Sequence, residues 1–240
     1  GLIALLSGLE QRDPAAFLDA QEQLFRWRRG PLHDTVDRSA DIYEYLRGLP
    51  GDPIRSPSTV HVSAVDSEGV ACAITLSAGY GSGVIPTGTG LYMNNGMGEL
   101  ELVGEPAGLV PGERLNSNMA PTLLRSSERG MLAIGSPGAD RISSALASVV
   151  GALALEGGSL HEALDHPRIH VAVDEAGNAV IKAEPGAVVP DHPLPVDWFD
   201  DLNMYFGGVG AALVEPNGRL SAATDPRRPG VASVFGGREN

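Results

Sequence analysis

The chain changes its rules at Thr59. From there Thr59-Val-His-Val-Ser-Ala-Val65 alternates with a period of two. Asp66-Ser-Glu-Gly69 reads as a turn, and Val70-Ala-Cys-Ala-Ile-Thr-Leu76 is an almost wholly apolar strand. A hairpin with one nearly all-apolar strand is expected where a sheet is covered on both faces. That places the hairpin inside a layered domain, with Cys72 as buried filler within its strand.

Residues 1–58 follow a different pattern. Asp13-Pro14 is a helix-start signal, and Phe17, Ala20, Leu24 and Trp27 recur at spacings of one helical face. A second short helical pattern runs from Ser39 to Arg47. Gly48-Leu-Pro-Gly-Asp-Pro and Ser56-Pro-Ser then break all periodicity. The segment reads as a helical pair ending in a tail. The first residue is Gly1 and not Met, so the chain reads as a fragment or a processed piece.

After the hairpin, Gly79-Tyr-Gly-Ser-Gly83 is a glycine loop and Gly88 to Leu102 is a polar connection. Met131 to Ile134 reads as a buried strand. It leads through Gly135-Ser-Pro-Gly138 into a helix over about Asp140–Leu155, with Ile142, Leu146, Val149 and Leu153 on one face. Ser159-Leu-His-Glu162 is a capping box opening a further short helix. Val180–Glu184 reads as a strand, and Ala211–Val214 with Leu220–Ala223 as a hairpin around Pro216-Asn-Gly218. With no internal repeat, residues 59–240 form one continuous mixed α/β domain.

Composition narrows the partners. Seventeen basic against 30 acidic residues give a net charge of −13, which disfavours binding to nucleic-acid phosphates. Aromatic residues at 5% argue against base stacking. No apolar run approaches the roughly 18 residues that a membrane helix needs. Neither a nucleic acid nor a membrane is expected as a partner. The single cysteine excludes an intrachain disulfide and a cysteine-built zinc site.

Two readings of the junction at Thr59 stand side by side on the residues alone. In one, a linker simply meets a strand that begins with threonine. In the other, cleavage of the Ser58–Thr59 bond exposes a threonine nucleophile. A free N-terminal threonine carries its own general base, because an α-amino group titrates near 7.7–8.0. At neutral pH a useful fraction is unprotonated and can take the hydroxyl proton.

The segment Thr59-Val-His-Val-Ser-Ala-Val-Asp-Ser-Glu-Gly resembles the start of the small subunit of the γ-glutamyltranspeptidase family. Further blocks resemble that family in its own order. They are Tyr80-Gly-Ser-Gly, Gly88-Thr-Gly-Leu-Tyr-Met-Asn-Asn-Gly-Met, Asn118-Met-Ala-Pro-Thr122 and Gly135-Ser-Pro-Gly-Ala-Asp-Arg-Ile142, with Asp225-Pro-Arg-Arg228 near the end. The resemblance implies an N-terminal-nucleophile hydrolase of α/β (α+β) class. Its fold would be a four-layer αββα sandwich, incomplete here because most of the large subunit is absent. It further implies a precursor that cuts itself at Ser58–Thr59. Residues 1–58 would then be the helical end of the large subunit, and 59–240 the small-subunit catalytic domain.

Residue roles follow from the same resemblance. Thr59 matches the nucleophile, and Ser77 falls at a second hydroxyl thought to assist it. Gly138 and Ala139 fall at two consecutive oxyanion-hole glycines, and Ala139 can still donate its backbone N–H. Glu99 is the survivor of an acid pair that binds the substrate α-amino group. Ser117 keeps one of two serines for the α-carboxylate, with Asn118 in place of the other. Gly79 stands where the family has an asparagine, so that side chain is missing. The attack machinery looks intact while the amino-acid clamp is half rebuilt.

The implied activity is γ-glutamyl-type amide hydrolysis or acyl transfer, from glutathione or a related γ-glutamyl amide donor to water or an amine. Two alternatives stay open: a non-catalytic homologue that remains one unprocessed chain, and an acylase-type amidohydrolase on a non-glutathione amide. The expected partners are the remainder of the large subunit and a small-molecule γ-glutamyl or amide substrate. The chemistry needs no metal and no organic cofactor. Either a cytoplasmic or an exported protein fits. Gly79-x-Gly-x-Gly83 lacks the lysine and helix of a phosphate loop. His161, His166 and His170 straddle Pro167, so they read as surface or satisfied histidines rather than a metal cluster. Ser136 reads as part of a turn presenting backbone amides, not as a nucleophile.

Overall fold

A computed structural model describes residues 5, 14–29, 59–79, 81–99, 112, 114–174 and 176–236. The second helical pattern, Ser39–Arg47, and the cleavage-site residue Ser58 lie outside them, as does Tyr80. The first helix, α1 (Pro14–Arg29), starts at the proline that the sequence marks. Strands β1 (Thr59–Val65) and β2 (Ala71–Ser77) form the expected hairpin, in register from Thr59↔Ser77 to Val65↔Ala71.

A second sheet joins β3 (Thr122–Ser126), β4 (Gly130–Gly135), β8 (Gly210–Val214) and β9 (Leu220–Thr224), in the order β3-β4-β8-β9 and antiparallel throughout. After β4 come helices α2 (Ile142–Gly151) and α3 (Leu160–Asp165). A third sheet joins β5 (Ile169–Val173), β6 (Ala179–Ala183) and β7 (Val196–Trp198).

Register explains the layers. Leu132 pairs with Leu213 and Ile134 with Ala211, so these four share one face of the second sheet. They pack with Ile142, Leu146 and Val149 of α2 and with Leu160 and Leu164 of α3 in one buried cluster. Each fully buried leucine there contributes about 1.5–3 kcal/mol. A second cluster joins Phe17, Leu18, Leu24 and Phe25 of α1 to Val171, Val173, Ala179 and Ile181 of the third sheet. The side chain of Gln21 accepts a hydrogen bond from Val171 N at 3.1 Å, so α1 covers a strand edge. The capping box forms as expected. Glu162 N donates to Ser159 Oγ, and Ser159 N donates to Glu162 Oε2.

The opposite face of the second sheet carries Met131 and Val214 at one end and only small residues at the other. Ala133 pairs with Ala212 and Gly135 with Gly210, and this small face receives the hairpin. His61 of β1 lies against both glycines. A Cβ on Gly135 would collide with the His61 ring, which hydrogen bonds to Thr75 and Ser63 hold in place. Gly135→Ala is therefore expected to lower stability by about 1–3 kcal/mol through overpacking. Urea denaturation checks it; an unchanged midpoint would mean that the hairpin does not seat there.

Two expectations need correcting. The hairpin is not covered on both faces among the described residues, because Val60, Val62, Ile74 and Leu76 are 47–60% exposed. Cys72 shares that outer face and is exposed, not buried. The cause is the period of two. Thr59, His61, Ser63, Thr75 and Ser77 point inward, and the apolar partners must point out.

Candidate active site

Thr59 opens β1, and its register partner Ser77 closes β2. This pairing brings Thr59 Oγ1 to 3.0 Å from Ser77 Oγ. Gly79 N donates to Ser77 Oγ at 3.1 Å, which fixes that oxygen from the other side. Two of the site residues read from the sequence thus form one hydrogen-bonded unit, 18 positions apart in the chain.

The inward face of the hairpin continues the polar network. His61 Nδ1 is 2.8 Å from Thr75 Oγ1, and its Nε2 is 2.7 Å from Ser63 Oγ. Ser63 Oγ donates to Gly210 O at 3.3 Å. Burial lowers the pKa of His61 below its ordinary value, so the ring is neutral at pH 7 and serves as a hydrogen-bonding strut.

Gly138 and Ala139 lie in the turn between β4 and α2. Gly138 has φ +137°, a backbone that favours glycine, and its carbonyl accepts from Arg141 N at 3.1 Å. Ala139 opens the single 3₁₀ turn Ala139–Arg141. Ser136 braces this turn: its hydroxyl donates to Pro137 O at 2.5 Å and accepts from Gly208 N at 3.1 Å. Ser136 is fully buried within the turn. Arg141 Nε also bonds Tyr205 O at 2.6 Å, which ties the turn to the segment before Gly207.

Contacts run on from this turn to Thr59. A Cβ on Gly138 would sit 3.1 Å from Gly207 Cα, and one on Gly208 would sit 2.7 Å from Arg228 Cβ. Arg228 Nη2 donates to Thr59 O at 2.9 Å. The sequence reading noted Asp225-Pro-Arg-Arg228 as a closing block but gave Arg228 no role. Nothing in local pattern marks a residue 169 positions away as a neighbour of Thr59.

Beneath these segments lies a buried ion network that was also missed. Arg227 Nε and Nη2 grip both oxygens of Glu184 at 2.6 and 2.5 Å, and its Nη1 meets Asp225 Oδ1 at 3.1 Å. Arg168 Nη2 lies 2.5 Å from Asp225 Oδ2. All four side chains are at most 1% exposed. Burial pulls the pKa of Arg168 down. For Arg227 the same burial is outweighed by the hydrogen bonds of Glu184 and the charge of Asp225, and its pKa rises. Asp225 Oδ2 accepts from Val209 N at 2.8 Å, so the network holds both chain segments that reach the Thr59 corner.

The substrate-clamp candidates differ in their surroundings. Glu99 Oε1 would lie 3.0 Å from a Cβ built on Gly79, so the carboxylate occupies space that a side chain at 79 would need. Ser117 is exposed, and its hydroxyl accepts from Met119 N at 3.1 Å, while Asn118 is buried. His170 is buried with Nδ1 2.9 Å from Ser144 Oγ, and His166 Nδ1 is 2.9 Å from Pro167 O. Both are satisfied by the protein, and His161 is exposed.

Among the described residues, Asp19, Glu22 and His192 bring possible metal-ligand atoms within 4.8 Å of one another. His192 Nδ1 accepts from Leu194 N, so its proton is on Nε2, which bonds Asp19 at 3.0 Å. That ring has no free lone pair for an ion. An open cleft of about 560 Å³ lies between the Ser67–Gly69, Ser126–Gly130 and Glu215–Gly218 turns, at the end of the hairpin away from Thr59.

The family model described as Gamma-glutamyltranspeptidase matches residues 20–235. The chain is 31% identical over 193 residues to the glutathione hydrolase proenzyme of Escherichia coli (strain K12), covering 73% of this chain and 32% of that protein. It is 31% identical over 199 residues to the acylase ACY 1 proenzyme of Pseudomonas sp. (strain SE83), covering 80% of this chain and 34% of that one. Both alignments span about a third of the relative's length. Among solved structures, the gamma-glutamyltranspeptidase from Pseudomonas nitroreducens complexed with L-DON superposes with a TM-score of 0.57 at 26% identity. The match covers 72% of this chain and 98% of that one.

Proposed function

The chain belongs to the gamma-glutamyltranspeptidase family, and from that premise we propose that it is the catalytic part of an amide hydrolase or acyltransferase working through Thr59. The observation that carries this reading is the Thr59–Ser77 hydroxyl pair at the first residue of β1, 3.0 Å apart. A nucleophile that is also a strand terminus can present its own α-amine as base once the Ser58–Thr59 bond is cut.

The steps balance with the groups at hand. The neutral Thr59 amine takes the proton from Oγ1, and the oxygen adds to the donor's amide carbonyl. Backbone N–H groups of the Gly138–Ala139 turn receive the oxyanion. The C–N bond breaks, the departing amine takes the proton back from the α-ammonium, and an acyl ester remains on Thr59. Water or an acceptor amine then attacks the ester, again giving its proton to the α-amine. An acid or a new amide leaves, and Thr59 is restored. Ser77 steadies Oγ1 through its hydroxyl. In the precursor, the same oxygen attacks the Ser58 carbonyl in an N-to-O acyl shift, and water releases the new N-terminus.

The donor is a γ-glutamyl amide in the first reading, with Glu99 facing the α-amino group and Ser117 and Asn118 facing the α-carboxylate. A second reading, an acylase-type hydrolase of a different amide, is favoured by Gly79, which removes one polar side chain beside Thr59, and by the likeness to an acylase. Values of kcat/KM for glutathione and a panel of γ-glutamyl and simple acyl amides separate them. The divergent clamp leads to glutathione turnover at least tenfold below the best amide in the panel. Glutathione as the best substrate would refute the divergence.

Residues 1–58 are then the end of the large subunit, and the remainder of that subunit is the partner. The hairpin supports this, because its polar face is half-buried and its apolar face exposed. An exposed apolar surface of that kind calls for a covering layer.

A further inference from the structure

We propose that Arg228 is a positioning residue for the Thr59 amine: its guanidinium holds the Thr59 carbonyl and sets a fixed positive charge beside the nitrogen that acts as base. This rests on the reading of Thr59 as an N-terminal nucleophile.

The placement is rigid at both ends. Arg228 N donates to Asp225 O at 3.2 Å, within a turn whose Asp225 and Arg227 belong to the buried ion network. The side-chain stem lies along Gly208, where a Cβ would meet Arg228 Cδ at 2.9 Å. Glycine at 208 therefore opens the path by which the guanidinium reaches Thr59 O at 2.9 Å. Carbonyl and amine belong to the same residue, so the charge stands on the order of 5 Å from the α-nitrogen.

A cation at that range disfavours a second cation, so the α-ammonium gives up its proton more readily and the free amine is more abundant at neutral pH. Other groups face the corner. His61 on β1 is held neutral, and Asp225 is turned toward Arg168, Arg227 and Val209 N. Asp140 and Arg141 in the turn after β4 pair with each other. Glu99 approaches from the Gly79 side and acts in the opposite sense. Of these charged groups, Arg228 bonds to Thr59 itself.

The test frees the Thr59 amine without relying on self-cleavage, through a specific protease site ending at position 58 of the full-length protein. The rate of acetylation of that amine by acetic anhydride is followed against pH by mass spectrometry, on native protein, Arg228→Gln and Arg228→Lys. Thermal melting first establishes that each variant is folded. The native midpoint is expected below the ordinary 7.7–8.0. Arg228→Gln should raise it by about one unit, and Arg228→Lys should stay within a few tenths of native. In the acid limb of kcat/KM the same upward movement is expected. An unmoved midpoint in Arg228→Gln overturns the proposal, as does lower activity at every pH with no movement of the limb. A native precursor that fails to cut itself counts against the nucleophile reading instead, because the titration does not depend on it.

Discussion

Thr59→Ala leaves the precursor as one chain and lowers amide hydrolysis by about 10⁴-fold or more, with the fold intact. The alanine has neither the oxygen that attacks the Ser58 carbonyl nor the one that would carry the acyl group. It loses one hydrogen bond, to Ser77, which costs only about 0.5–1.5 kcal/mol. Rate and stability therefore separate, and that separation is the diagnostic. Thr59→Ser keeps an attacking oxygen and should retain processing at a reduced rate. A Thr59→Ala protein that splits at position 58 would place the nucleophile elsewhere.

The largest stability effect is expected at Arg227→Ala. Its guanidinium answers Glu184 with two hydrogen bonds and Asp225 with a third, and it also donates to Leu164 O and His166 O at 2.9 and 3.0 Å. Two arginines and two acids make the network neutral. Removing one arginine leaves a buried carboxylate charge with no counter-ion. The cost is about 3–5 kcal/mol, a large part of a domain's total stability. Urea unfolding of the full-length protein measures it, and a loss below about 1 kcal/mol would mean that water reaches the network. Because Asp225 also holds Val209 N, partial unfolding there should loosen the Gly207–Gly208 segment and slow self-cleavage.

Local pattern located the elements whose signals are local. The hairpin from Thr59, the helix start at Pro14, the Ser159–Glu162 capping box and the Pro216-Asn-Gly218 turn all stand where the residues imply. Strands β3, β5 and β7 were not read. Thr122–Ser126 offers only two apolar residues, Ile169–Val173 is interrupted by His170, and Val196–Trp198 is three residues long. Each is made a strand by the neighbour it pairs with.

The candidate site divides in the same way. Thr59, Ser77 and the Gly138–Ala139 turn were identified by their likeness to a family, and period-two register then explains why Thr59 meets Ser77. Arg228 and the Arg168–Glu184–Asp225–Arg227 network depend on contacts between distant segments, which composition and spacing do not encode. Cys72 illustrates the opposite failure: an apolar run suggested burial, whereas the alternation with inward hydroxyls turns it outward.

The N-terminus of the processed protein decides whether Thr59 is the nucleophile. Intact-mass analysis and N-terminal sequencing of the full-length precursor, purified with its large-subunit portion, measure it directly. Two chains are expected, the second beginning Thr59-Val-His-Val-Ser, with the Thr59→Ala precursor remaining whole. A single uncut chain under conditions where the protein is folded, or a cut at any other bond, would contradict the assignment of Thr59.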